Sequence, residues 1–158
     1  MDEKSRKIPT EKQWGDYRSS LDADYAHRMF AGKTIEEVLP YIETSPLDAS
    51  ECLSYMLEAP FQFYIFAFEK FLMSERAFSD PLCDSSDGAS TFLRLVKNKL
   101  AYSPEVIIPV MARLMPVVEF VASHQGDYGA SEDIYGSFAA LATDIEALYQ
   151  AALVHKRD

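Results

Sequence analysis

The last quarter of the chain carries an apolar repeat that only a helix can place on one face. At about 100° per residue, steps of four and three keep these side chains in one stripe, whereas a strand would divide them between two faces. A similar repeat from Trp14 to Met29 predicts an amphipathic helix that ends near Gly32. The C-terminal repeat consists of Ile134, Phe138, Leu141, Ile145, Leu148 and Ala152.

Capping signals indicate where further helices begin. Thr10 with Gln13, and Thr34 with Glu37, match the capping box in which a hydroxyl and a long polar side chain satisfy free backbone N–H groups. Two Ser-Pro pairs place an N-cap hydroxyl before a proline at the first helical position. From these signals we expect helices over 35–42, from 46 to about 57 and over 104–123, with loops at 79–88 and 124–132.

An aromatic segment lies between these elements, with six aromatic residues in the eleven positions 61–71. At helical spacing they surround the axis, which is typical of a helix buried on most sides. A strand over Phe61–Phe68 is the alternative, because aromatic residues favour strands. We prefer the helix, since the run continues past Glu69 without a turn signal and no neighbouring segment alternates like a partner strand.

The predicted helix over 104–123 is apolar on almost all sides and should lie at the centre of the fold. Pro109 and Pro116 each remove a backbone hydrogen bond, so we expect a kink or a split into two helices. The segment then reads as too broken for a membrane span. The sequence therefore predicts an all-α fold, a compact single-domain bundle of about six to eight helices at 10–158 with a Pro-kinked central helix, behind a flexible N-terminal segment at 1–9.

Acidic residues are concentrated in two windows, 34–69 and 114–155, which contain no Lys or Arg. The chain as a whole has a formal net charge of −10. This balance argues against binding nucleic acid or an anionic membrane through a basic face, and it favours a basic protein partner. The N-terminus has no apolar run of the secretory type, so we expect a cytoplasmic location.

Motifs for catalysis or metal binding are missing from the sequence. Asp24 and His27 share a helix face, but a metal needs three or four ligands, so an ion pair of Asp24 with Arg28 is the better expectation. Acidic neighbours should raise the thiol pKa of Cys83, which disfavours a reactive thiolate. We therefore expect no enzyme activity, no cofactor and no metal. Basic residues on one helix, Arg94, Lys97 and Lys99, read as a solvated face more readily than as a phosphate site.

Two surfaces combine carboxylates with tyrosines, whose rings add contact area at low entropic cost. The first is the acidic segment 36–58, and the second is the loop 126–135. We expect both to contact a partner. The candidate residues are Glu36, Glu37, Tyr41, Glu43, Asp48, Glu51 and Tyr55 in the first surface, and Asp127, Tyr128, Glu132, Asp133 and Tyr135 in the second.

In size, acidity and lack of a catalytic motif, the chain resembles bacterial toxin-immunity proteins, although no specific motif carries the resemblance. The resemblance implies an inhibitor that blocks a basic toxin by charge-complementary occlusion. The main alternative is a small helical enzyme or ligand-binding domain with a pocket lined by the aromatic helix. A mimic of nucleic acid and an adaptor of a cellular machine also remain open, as does the oligomeric state.

Overall fold

The computed structural model describes residues 7–157, except for the side chain of Arg157. Most of the predicted flexible segment, residues 1–6, lies outside the described residues. Within residues 7–157 there are ten α-helices and no strand, which confirms the all-α class, and two 3-10 turns, Glu11–Trp14 and Tyr17–Ser19, come first. The helices are α1 Leu21–Phe30, α2 Ile35–Thr44, α3 Pro46–Ser54, α4 Glu58–Tyr64, α5 Phe66–Leu72, α6 Arg76–Ser79, α7 Ser85–Tyr102, α8 Pro104–Ser123, α9 Glu132–Tyr135 and α10 Phe138–Arg157.

The predicted helix starts are largely confirmed, because they depend on local bonds. At the start of α2, the Glu37 amide donates to Thr34 Oγ1 at 3.1 Å, and the Thr34 amide donates to Glu37 Oε1 at 3.1 Å. Helices α3 and α8 begin at Pro46 and Pro104. At these positions the fixed φ of proline suits the first helical turn, and its missing N–H costs nothing.

The predicted N-terminal helix is wrong in its extent. The capping box of Thr10 and Gln13 forms, but it opens a 3-10 turn. Gly15 then has φ of +67°, a left-handed conformation that ends the turn. A Cβ at this glycine would lie 2.5 Å from Leu57 Cδ1, but the leucine is 53% exposed and can shift, so the requirement for glycine comes from the positive φ. The α-helix starts only after Ser20, whose hydroxyl accepts from the Ala23 amide.

The aromatic segment is helical, as we preferred, but it forms two helices. Helices α4 and α5 meet at Ile65, where the Phe68 amide donates to the Ile65 carbonyl at 3.1 Å in a tighter turn. The side chains of Phe61, Phe68 and Phe71 are fully or almost fully buried. This division and the short helices α6 and α9 raise the number of helices above the predicted six to eight.

From the sequence we expect a kink in α8 or a split into two helices at its prolines. The split does not occur, because α8 is one helix from Pro104 to Ser123. Pro109 and Pro116 lie two turns apart on the exposed side of one continuous 20-residue helix. Water can therefore hydrate the carbonyl groups that lack a donor. By length and composition α8 could cross a membrane. Its prolines therefore do not make the segment too broken for a membrane span, contrary to the expectation from the sequence. Eight of its residues are nevertheless buried, and α8 packs against α4, α7 and α10, as a core helix does.

The centre of the fold is formed by α7, α8 and α10, which pack on one another. Helix α3 packs on α7, and α2 packs on α5. Gly88 allows α5 to approach α7, since a Cβ there would lie 2.7 Å from a ring carbon of Phe71. The C-terminal stripe is buried at Phe138, Leu141 and Ile145 as predicted. Ile134 does not belong to it, because Gly136 separates α9 from α10 and leaves this side chain 77% exposed.

Candidate functional site

Helices α1 and α3 enclose a small acidic cleft of about 160 Å³. Packing of α1 on α3 brings Asp22 and Tyr25 opposite Asp48 and Glu51. The volume is below the 300–1,000 Å³ typical of small-molecule sites, and it is closer to the space that one side chain of a partner fills. We define the acidic cleft by its lining residues Asp22, Tyr25, Asp48, Glu51, Cys52 and Tyr55.

Asp48 is held in place by two tyrosines. Its Oδ2 accepts a hydrogen bond from Tyr25 Oη at 2.8 Å and another from Tyr41 Oη. The bond to Asp48 raises the pKa of Tyr25, and burial, followed by the same carboxylate, raises the pKa of Tyr41. Both hydroxyls therefore stay protonated as donors. Because both bonds end on Oδ2, the other carboxylate oxygen is left for an additional donor.

The charges in the acidic cleft have no basic partner in the described part of the chain. Among the side chains that the structure describes, no Lys, Arg or His forms an ion pair with Asp22, Asp48 or Glu51. The charge of Asp22 is the largest influence that raises the pKa of Tyr55. Burial raises the pKa of the Cys52 thiol to about 11. Cys52 therefore lines the cleft as an uncharged side chain and is not a reactive nucleophile.

Other carboxylates of the first surface are already occupied. Glu36 pairs with Lys70 at 2.9 Å. Glu43 is buried and lies 3.2 Å from Arg76, so it is removed from the set that a partner could contact. Glu37 is exposed and caps its own helix. The bases come from outside the acidic window, which explains why the local sequence could not show the pairing.

The second surface is also reduced by packing. Tyr128 is buried, and its hydroxyl donates to the Leu72 carbonyl at 2.5 Å. Tyr135 donates to Asp87 Oδ1 at 2.7 Å and is half-buried. The structure does not bring this loop into the acidic cleft, since none of its residues lines that cleft. The carboxylates Asp127, Glu132 and Asp133 remain exposed.

Three residues of the acidic cleft, Asp22, Tyr25 and Cys52, were missed in the sequence. Tyr25 lies within the apolar repeat of the predicted first helix, but it is 39% exposed. Asp22 lies outside both acidic windows. The available signal was a tyrosine three residues after an aspartate on one helix, the same combination that singled out the segment 36–58.

A larger groove lies between α3 and α7 and adjoins the acidic cleft at Glu51, which lines both. This α3–α7 groove has a volume of about 380 Å³. Arg94 and Lys99 line it, whereas Lys97 lies outside it and pairs with Asp144 at 3.0 Å. The three basic residues therefore do not form one face. No residue of the aromatic segment 61–71 lines either of these two cavities, and the segment contributes to the core instead.

The expected ion pair of Asp24 with Arg28 is present, at 2.7 Å. His27 instead contacts Glu11 at 2.8 Å and stacks on Tyr17. The described part of the chain contains no group of three His, Cys, Asp or Glu residues that could hold a metal ion. Burial, followed by the charge of Glu43, raises the pKa of Cys83, in the direction expected from acidic neighbours.

One serine–histidine contact resembles a nucleophile beside a base. Ser123 Oγ lies 3.0 Å from His124 Nδ1. The same nitrogen lies 2.7 Å from the carbonyl oxygen of Phe120, which can only accept a hydrogen bond. Nδ1 therefore carries the hydrogen and cannot take a proton from the serine.

Comparison with protein-family models, curated proteins and solved structures finds no match to this chain.

Proposed function

We propose that this protein neutralises a basic protein partner by binding it through the acidic cleft and its rim. In its most specific form, the proposal is an immunity protein that occludes a bacterial toxin in the cytoplasm. The observation that supports it is the convergence of Asp22, Asp48 and Glu51 on one cleft, where no basic side chain among the described residues pairs with them. The proposal assigns no catalytic step to the chain.

The charge arrangement explains why the partner would be basic. Like charges held close together repel one another, and the repulsion grows when water is displaced from around them. A Lys or Arg of a partner that enters the acidic cleft relieves this repulsion. An arginine would gain most, because its planar guanidinium matches a carboxylate in two parallel hydrogen bonds.

Tyrosines supply the apolar contact area that a salt bridge alone lacks. Tyr25 and Tyr55 line the cleft and are 39% and 45% exposed. Their rings can pack on the stem of the entering side chain and offer their faces to its cation. Tyr41 supports Asp48 from behind and is half-buried. Partner binding in this arrangement combines charge steering with a desolvated aromatic contact.

Affinity capture from the native cell extract, read by mass spectrometry at low and at high salt, tests the proposal. We expect a basic protein to be retained at low salt and released at high salt. The double variant Asp22→Asn/Glu51→Gln should lose that protein, and Glu119→Gln, an exposed carboxylate on α8 outside both surfaces, should retain it. Failure of the wild-type protein to retain a basic protein at either salt would contradict the proposal.

A ligand-binding domain is the second candidate function. It is favoured by the α3–α7 groove, whose volume of about 380 Å³ falls within the range of small-molecule sites. The pocket differs from the aromatic one that the sequence suggested. Recovery of a bound small molecule from the purified protein by native mass spectrometry would support this function, independently of any protein partner.

A further inference from the structure

The α3–α7 groove carries opposite charges on its two walls. Helix α3 contributes Glu51, and helix α7 contributes Arg94 and Lys99. No ion pair joins Glu51 to either base. Opposite charges that face each other across an open groove without pairing leave both signs available to a ligand that carries both.

Lys99 is the buried charge of the groove. Its side chain is only 8% exposed, and its Nζ donates to the Ser54 carbonyl at 2.9 Å. The ammonium also lies 5.2 Å from the centre of the Phe61 ring. A lysine has three N–H donors. Among the described residues no carboxylate forms an ion pair with this one, and Glu105 attracts it only from a longer distance. A buried cation without an anion in contact costs free energy that a bound carboxylate would recover.

Arg94 is the second cation that lines the α3–α7 groove. Its Nη2 donates to the Tyr135 carbonyl at 2.9 Å, which anchors the guanidinium to the second loop. This contact and a longer one of 3.4 Å to Ser90 leave further N–H groups of the fork free. On α7, Arg94 and Asn98 are four residues apart and therefore share a face. Asn98 lines the groove as well and adds an uncharged polar group.

The α3–α7 groove also contains apolar side chains that a small ligand could contact. Leu47 on α3 and Tyr102 on α7 line opposite sides and are 60% and 84% exposed. Leu95 on α7 also lines the groove and is buried. Exposed apolar side chains beside a few convergent polar groups are typical of a ligand site. The volume suits a molecule the size of an amino acid or a dipeptide.

We propose that the α3–α7 groove binds a small zwitterion with an apolar side chain, such as a free aliphatic or aromatic amino acid. Its carboxylate contacts Arg94 and Lys99, its ammonium group contacts Glu51, and its side chain packs between Leu47 and Tyr102. This inference does not depend on the proposed protein partner. A chain with a net charge of −10 repels anions in general, so binding of the carboxylate would require this local site.

NMR titration of the full-length protein with three related compounds tests the proposal. L-leucine carries both charges, L-leucinamide lacks the carboxylate and 4-methylpentanoate lacks the ammonium group. We expect shift changes at residues 47–54 and 91–103, with leucine binding more tightly than either analogue. Equal binding of all three compounds, or no localised shift changes with leucine, would overturn the proposal.

Variants separate the two ends of the ligand. Arg94→Gln and Lys99→Met should each weaken leucine binding by roughly tenfold or more, because each removes a charge-assisted hydrogen bond. Glu51→Gln should weaken leucine but leave 4-methylpentanoate unchanged. Lys97→Met is the matched control, with the same charge change on the same helix outside the groove, and it should bind normally. If Lys99→Met fails to fold, the exposed Arg94 carries the test, and normal leucine binding by Arg94→Gln would contradict the assignment.

Discussion

The carboxylate of Glu43 lies 3.2 Å from the guanidinium of Arg76, and of the two side chains only the arginine is well exposed. The pair joins α2 to α6 across 33 positions of sequence. Cys83 adds a weak S–H donor at 3.7 Å from the same carboxylate. Glu43 therefore stabilises the fold through its contacts with Arg76 and Cys83.

Loss of this arginine should destabilise the fold. Arg76→Met leaves a buried carboxylate without its cation, and we expect the free energy of unfolding to fall by about 2 kcal/mol. Urea unfolding measures the change. The control is Arg28→Met, which breaks the more exposed pair with Asp24 and should cost less than about 0.5 kcal/mol. Equal losses in the two variants would show that burial of Glu43 has no energetic consequence.

The C-terminus of α1 depends on one buried hydroxyl. Tyr64 Oη lies 2.6 Å from the Phe30 carbonyl oxygen and 2.7 Å from that of Lys33, where the helix leaves backbone acceptors without intrahelical donors. Tyr64→Phe should lower the free energy of unfolding by about 1–2 kcal/mol. Tyr102→Phe alters a hydroxyl that is largely in solvent and should change it little. A neutral Tyr64→Phe variant in thermal unfolding would contradict this account.

The prolines of α8 should be replaceable with a gain in stability. Pro109→Ala restores an N–H that can donate to the carbonyl of Glu105 and removes the ring from an exposed helix interior. The greater freedom of the unfolded chain offsets part of this gain. We expect a net stabilisation of about 1 kcal/mol in urea unfolding. A destabilised variant would mean that the core packing requires a proline-induced bend.

Lys99 gives the stability a pH dependence of known sign. Burial lowers its pKa in the folded state below the ordinary value of 10.5. Between these two pKa values the unfolded chain binds more protons, so stability rises with pH across the window and is constant, in this respect, below it. The difference in unfolding free energy between wild type and Lys99→Met should therefore increase as the pH rises through the lowered pKa of the folded state towards 10.5. The titration of the tyrosines contributes equally to both proteins and cancels in this difference. A difference that does not change with pH would contradict the burial of a charged lysine.

Elements fixed by short-range physics could be predicted from the sequence. The start of α2 depends on Thr34 and Glu37, three positions apart, and the buried stripe of α10 depends on spacing alone. The aromatic segment was assigned to a helix by its length and the lack of partner strands. Gly15 was not recognised as a break, because the apolar repeat continues across it in sequence and only the backbone shows its positive φ.

The candidate site depended more strongly on tertiary contacts. Glu37 and Glu43 look alike in the local sequence, yet one is exposed and the other is buried against Arg76. Asp48 was predicted as a site residue, but the tyrosine Tyr25 that orients it comes from α1, 23 positions earlier. Only the packing of α1 on α3 creates the acidic cleft, so composition could identify the acidic segment but not its partners.

The association rate of the captured partner with the wild-type protein and with Asp22→Asn/Glu51→Gln, measured at several ionic strengths, tests the central claim most directly. The double variant leaves Asp48 and its tyrosines in place, so its fold should be unchanged, which circular dichroism can verify. We predict a slower association and a shallower decline of the rate with salt, with the Glu119→Gln control matching the wild type. An unchanged rate with an unchanged salt dependence would contradict docking at the acidic cleft.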